Sequence, residues 1–204
     1  MANASMINGL RPVRNAFSGF HVGSMVKCVL LATEANNLAV GDPVTLEGNS
    51  NPAQMSGYSF NQVEGAYASV RKAASGDPIY GVIGGFEPRA VVGYEQLSYR
   101  AGGVEMYVLV HVDPNILYEV QTRTGTAFTA AMVGQTCDFV DGGVATTYGL
   151  SGVEADLTTV GNALGEDFII MGLQDREADN EVGDIAKILV KLNNHAFGVS
   201  NAGA

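Results

Sequence analysis

YVLVHVDPNILYEVQ, residues 107–121, contains two apolar runs separated by the turn-forming triplet DPN at 113–115. A break of this composition between runs rich in β-branched and aromatic residues is typical of two strands joined by a tight corner. Val108, Val110 and Val112 share one face at period two, which indicates a buried first strand. In the second run, polar Glu119 and Gln121 share a face with Leu117, so that strand is predicted to be half-solvated.

The rest of the chain repeats this pattern of short apolar runs bounded by Gly, Asn or Asp-Pro. Gly is abundant at 26 residues, charged residues make up only 16% and Trp is absent. The pattern predicts a mainly β protein built of antiparallel β-barrel modules, with little helix. Strands are expected at 24–33, 38–46, 66–72, 80–83, 136–140, 144–150, 168–174 and 185–192.

The remaining segments include predicted loops, one short helix and a one-sided strand. Residues 47–63 and 84–103 are predicted to be long loops, and 157–164 is a turn-rich stretch. The sequence FTAAM at 128–132 is the best helical candidate and spans at most two turns. The last run, IAKILVKL at 185–192, alternates so that one face is apolar and the other carries both lysines. Such alternation predicts a sheet that is packed on one side.

Charge divides the chain into a basic start and an acidic remainder. Residues 1–33 carry Arg11, Arg14 and Lys27 with no acid, whereas residues 34–204 carry the remaining 8 basic and all 21 acidic residues. The acidic remainder would repel phosphate, so nucleic acid is not an expected partner.

Residues 1–23 have no periodicity and contain Phe17 and Phe20 among polar and glycine residues. We interpret them as an extended N-terminal arm on a β body, residues 24–204, that forms one domain or two small β-barrel subdomains. Aromatic groups gain nothing in water, so the arm is expected to lie on a surface, either its own body's or a neighbour's. A disordered tail is the alternative interpretation.

Residues that could support catalysis lie outside recognisable motifs. His21, His111 and His195 are far apart in sequence and none belongs to a nucleophile motif. Cys28 and Cys137 each lie in an apolar run, which favours two buried thiols over a disulfide or a metal site. The expectation is therefore a protein that is not an enzyme and has no cofactor and no metal, although 21 acids always allow some catalytic carboxylate pair.

Two further patterns bear on binding and targeting. DREADNEVGD at 175–184 superficially resembles a calcium loop but lacks the glycine and closing glutamate of that motif, so a solvated loop is favoured. No apolar run is long enough to span a bilayer, and the start of the chain has no apolar core of a signal peptide. We expect a protein made in the cytoplasm with no membrane partner.

Five motifs in order resemble those of head decoration, or cement, proteins of tailed bacteriophages. They are MANASMINGLRPVR at 1–14, VGDPV at 40–44, YGVIGGFE at 80–87, VHVDP with YEVQ at 110–121, and DNEVGD leading to VKLNNH at 179–195. The resemblance implies β-barrel modules on the outer surface of the phage head, where the partners are the major capsid protein and further copies in a homotrimer.

This resemblance gives the arm an expected role. Arg11 and Arg14 are predicted to pair with acidic groups, and Phe17 and Phe20 to fill apolar contacts, on a neighbouring subunit or on the capsid. Removal of residues 1–23 is expected to leave the body folded while weakening attachment. The alternatives are a tail-fibre or carbohydrate-binding β module, against which the absence of Trp argues, and a hydrolase with an unrecognised site.

Overall fold

A computed structural model of the protein describes residues 3–17, 24–89, 98–176 and 179–198. Within these ranges it contains thirteen strands and one three-residue 3₁₀ helix, Ala130–Met132, so the predicted mainly β fold with little helix is confirmed. The strands are β1 (Arg11–Asn15), β2 (Val26–Leu30), β3 (Leu38–Ala39), β4 (Pro43–Ser50), β5 (Ala68–Lys72), β6 (Gly81–Phe86), β7 (Tyr99–Arg100), β8 (Met106–His111), β9 (Ile116–Gln121), β10 (Thr136–Ala145), β11 (Leu150–Gly161), β12 (Phe168–Leu173) and β13 (Lys187–Leu192).

Five strands from the first half of the chain form a closed barrel in the order β2-β5-β4-β6-β8. All neighbours are antiparallel except β2 and β5, which meet in parallel at Val29 and Ser69. The barrel is filled by one cluster of buried side chains, which includes Cys28, Val70 and Val108. The short strands β3 and β7 pair with each other outside the barrel.

β1 and the five strands that follow residue 115 form a six-stranded antiparallel sheet in the order β1-β9-β13-β12-β10-β11. This sheet curls back on itself, because Ala155 of β11 bridges Thr122, just beyond β9, and accepts a 2.9 Å hydrogen bond from the Arg123 N–H. Alternate residues of the strands, such as Tyr118, Val190 and Phe168, point inward and form the largest apolar cluster. Their neighbours in sequence form the outer face of the sheet.

The corner predicted at 113–115 connects these two units. Asp113 stabilises it by accepting hydrogen bonds from the N–H groups of Asn115, at 2.9 Å, and Ile116, at 3.3 Å. The strands on either side do not pair with each other, since β8 belongs to the barrel and β9 to the sheet. The expectation of a half-solvated β9 is wrong, because all six of its residues are buried.

Polar contacts join the barrel to the sheet. Asp167 accepts hydrogen bonds from the Ser75 hydroxyl at 2.7 Å and the Gly76 N–H at 3.0 Å. Ile79 exchanges backbone hydrogen bonds with residues 194 and 196, and Lys72 pairs with Asp141 at 2.7 Å. These interactions attach three separate segments of the two units, which gives the body a defined internal arrangement.

Several strand boundaries differ from those expected. The strand predicted at 144–150 is instead the end of β10, a turn and the start of β11, and residues 157–161 continue β11 where turns were expected. The reason lies at Gly142 and Gly143, where the ladder shifts register between 141 and 144. The glycines form a bulge there, because Gly143 adopts a positive φ of 79° and Gly152, which has no Cβ atom, allows the carbonyl of Gly143 to approach closely, and the strand continues past them.

The segments expected to be loops or helix also change. Strand β4 continues to Ser50 and β6 to Phe86, so both predicted loops begin later than expected, while residues 90–97 lie outside the described ranges. The helical candidate at 128–132 contributes only the 3₁₀ turn at Ala130–Met132.

Candidate interaction surface

The predicted contact residues of the N-terminal segment lie at one edge of the sheet. Arg11 and Arg14 belong to β1, and both side chains are exposed. Phe17 follows this strand with 83% of its surface exposed. Phe20 lies outside the described residues. The structure therefore brings three of the four predicted residues to one edge.

Residues 3–15 lie on the chain's own body. Leu10 is only 1% exposed and belongs to the main apolar cluster of the sheet, and its N–H donates to the carbonyl of Gly41 at 2.9 Å. Met6 donates its N–H to Oε1 of Gln121 at 2.6 Å. Of the two surfaces expected for the arm, residues 3–15 lie on the chain's own body, and Leu10 fills part of its core.

The register of the strands shows which side chains share the outer face of the sheet. Arg11 lies opposite Glu119, and a bulge at Val13 then places Arg14 opposite Leu117, two residues away on the same face. On the other side of β9, the partners of Leu117 and Gln121 are Lys191 and Lys187. Arg176 joins this face through its ion pair with Glu119. We call Arg11, Arg14, Arg176, Lys187 and Lys191 the basic face.

Glu119 is the one carboxylate on the outer face of β1, β9 and β13, and it is only 5% exposed. The Arg176 guanidinium donates to it at 2.6 Å, and the remainder of that guanidinium borders a depression of about 170 Å³ that Arg11 also lines. Lys187 is buried and donates to the carbonyl of Ala4. In the described ranges, neither Arg11 nor Arg14 has an ion-pair partner. The basic face thus carries charge that the chain does not neutralise.

The outer face of β10 and β11, in the same sheet, is acidic. Asp138, Glu154 and Asp156 occupy outer positions of β10 and β11, and we call them the acidic strip. Asp138 is the direct cross-strand partner of Asp156, an arrangement of like charges that is destabilising by itself. Arg123 approaches Asp156 at 3.7 Å from the end of the sheet and offsets part of this repulsion. Burial, and next the nearby Asp138 carboxylate, raise the pKa of Glu166 beside the strip.

Lys27 packs against a cluster of aromatic rings on the barrel. The Lys27 ammonium lies 4.0 Å from the ring centre of Tyr107 and 5.1 Å from that of Tyr67, and it pairs with Glu87 at 2.5 Å. Tyr58 packs edge-on against Tyr107 with ring centres 4.9 Å apart. In this cluster, the ring faces of Tyr67 and Tyr107 are therefore engaged by Lys27 rather than free to stack on a sugar.

His111, His195 and the two cysteines occupy separate buried positions, whereas His21 lies outside the described residues. His195 is buried near the end of the sheet, where its Nδ1 accepts the Phe197 N–H at 3.1 Å and burial lowers its pKa. Cys28 and Cys137 are both buried free thiols, as predicted, and burial raises the pKa of Cys28 to about 11. Across the described ranges, no group of three or more His, Cys, Asp or Glu side chains is arranged to hold a metal ion.

Sequence reasoning found part of this surface and missed part. The alternation of 185–192 correctly placed Lys187 and Lys191 on one face, and the charge count singled out Arg11 and Arg14. Arg176 was missed because it lies in the stretch interpreted as a solvated loop. The side chain of Asn3 holds that loop, since it binds the backbone of Glu181 in both directions, at 2.8 and 2.9 Å.

The fold and this surface define a class: a two-unit antiparallel β protein with one basic and one acidic side on the same sheet. Comparison with protein-family models, curated proteins and solved structures gives no match to the chain. In the parts of the chain that the structure describes, every helix is too short to cross a membrane.

Proposed function

We propose that the protein is a decoration, or cement, protein that binds the outer surface of a tailed-phage head and bridges subunits of the major capsid protein. A DNA-filled shell is under outward load, and a protein bound across its subunits resists this load because separating them also breaks its contacts. This role requires a body of defined shape and an exposed contact group rather than a reaction centre.

The observation that carries the proposal is the exposed Phe17 at the end of a strand fixed to the body. The Phe17 ring is 83% exposed and lies beside Arg11 and Arg14, which are also exposed, so it is available for burial against a partner. Burial of such a ring contributes about 1.5 to 3 kcal/mol, whereas an arginine pair at a rim contributes about 1 kcal/mol or less. The aromatic group should therefore dominate affinity for the shell.

The test is co-sedimentation of the protein with empty heads assembled from the major capsid protein of the same phage. Phe17→Ala is expected to weaken head binding by about tenfold or more, because it removes the anchor. Tyr148→Ala is the matched control, since Tyr148 is a comparably exposed aromatic residue at 73% on a different turn. Equal binding of wild type and Phe17→Ala across a salt series, or no binding by wild type, would refute the proposal.

A further inference from the structure

We infer that the basic face of one copy docks on the acidic strip of a second copy, in a head-to-tail contact that closes into a ring. The inference rests on the proposed function for the setting in which such a ring acts, and it assigns the unpaired arginines to a neighbouring copy rather than to the shell. Phe17 remains the group assigned to the shell.

The first argument is the distribution of charge on a single sheet. On the basic face, Arg176 is paired with Glu119 and Lys187 is buried, whereas Arg11 and Arg14 are exposed and have no ion-pair partner in the described ranges, on a protein whose formal net charge is −10. The acidic strip places Asp138 and Asp156 directly opposite each other without full compensation. Each surface thus lacks the charge that the other presents, which is the condition for electrostatic recognition.

The second argument concerns geometry. In the order of the sheet, β12 lies between the strands of the basic face and those of the acidic strip, and the curl of the sheet brings β11 back beside β9, where Gln121 donates to Glu154 at 2.9 Å. The proposed contact joins two different sets of residues, the basic face of one copy and the acidic strip of the next. A contact between different patches is heterologous, and its repetition closes a ring when the rotation between copies allows it. A trimeric ring agrees with the expected homotrimer.

The third argument excludes a simpler explanation of the arginines. Charged residues and proline on an edge strand protect it from unwanted pairing, and Arg11, Pro12 and Arg14 fit that description. Protection of an edge does not account for Arg176 and Lys191. Lys191 belongs to β13, which is an interior strand of the sheet, and Arg176 lies in the loop before that strand. The two explanations also predict opposite results: loss of the arginines should increase self-association under edge protection and decrease it under docking.

The experiment is sedimentation velocity of the full chain over a range of micromolar concentrations at low and high salt. Wild type is expected to associate, and salt to weaken the association. Arg11→Glu with Arg14→Glu reverses the basic face, and Asp138→Lys with Glu154→Lys reverses the acidic strip. Either reversal alone is expected to weaken association by about tenfold or more, since each exposed pair changes from attraction to repulsion.

A chain that carries both reversals is the decisive variant. Its two surfaces are complementary again, so association is expected to return to within about threefold of wild type. Circular dichroism and thermal unfolding check that each variant is folded. If the reversal of the basic face does not fold, Arg11→Gln with Arg14→Gln replaces it. A monomeric wild type, single reversals that associate like wild type, or a neutralised variant that associates more strongly would overturn the inference.

Head binding measured on the same samples keeps the two proposals distinguishable. Association that depends on both surfaces, in a protein that does not decorate heads, would refute the proposed function and leave the ring intact. Decoration by a chain that never self-associates would overturn the ring alone.

Discussion

Leu10→Ala tests whether the N-terminal segment is part of the folded body. Leu10 is 1% exposed within the main apolar cluster, in a segment that lies against Gly41. Loss of its buried surface costs about 2 kcal/mol in transfer free energy, and the cavity left behind adds about 1 kcal/mol or more. We therefore expect the free energy of unfolding to fall by about 3 kcal/mol and the melting temperature by about 6 to 12 °C.

The assay is urea unfolding followed by circular dichroism, with calorimetry for the melting temperature. Met6→Ala is the control, because Met6 lies in the same segment with 66% of its surface exposed and engages Gln121 only through its backbone. It should change stability by less than about 0.5 kcal/mol. A Leu10→Ala variant within about 1 kcal/mol of wild type would show that the segment is a tail laid loosely on a complete body.

Three further predictions follow from buried groups. Arg100→Met should reduce the free energy of unfolding by roughly 3 kcal/mol or more, measured by urea unfolding, because the wholly buried guanidinium donates to the carbonyls of residues 31, 34, 36 and 104. Unchanged stability would contradict this account. Cys28 and Cys137 should react with a thiol reagent at mildly alkaline pH only after denaturation, because both are buried with raised pKa values, and rapid labelling of the native protein would count against it. Burial lowers the pKa of His195, so His195 of the unfolded state becomes protonated before that of the folded state as pH falls below about 6.5. Wild type should therefore lose stability in that range relative to His195→Gln, and parallel pH profiles of stability would disprove a lowered pKa.

The sequence predicted local events better than their partners. The corner at 113–115 was correctly placed because Asp and Pro act through the backbone beside them, and the alternating lysines of 185–192 correctly marked a face. Sequence alone did not show that β8 and β9 separate into a barrel and a sheet, since partner choice depends on residues far away in the chain. Nor did it show that Leu10 enters the core, because a single leucine among polar residues has no periodicity to detect.

The same limit explains the errors at the glycines and at the candidate surface. Gly142 and Gly143 have the composition of a turn, yet here they form a bulge because Gly152 offers a neighbour without a side chain to pack against. Arg176 gave no signal because a charged residue in an acidic loop is ordinary. Its position beside Glu119 follows only from the tertiary structure.

Because of the order in which the strands leave the ribosome, the barrel can form before the sheet does. All five barrel strands lie between residues 26 and 111, so the barrel can close while the remainder of the chain is still being made. In the sheet, β9 pairs with β1 on one side and with β13 on the other, so the earliest and latest strands of the protein flank the same neighbour. Residues 11–15 therefore have no partner strand until β9 has been made, and the apolar cluster that holds Leu10 is incomplete until translation has passed residue 192. A nascent chain arrested before β13 should carry a protease-resistant barrel and a protease-sensitive beginning.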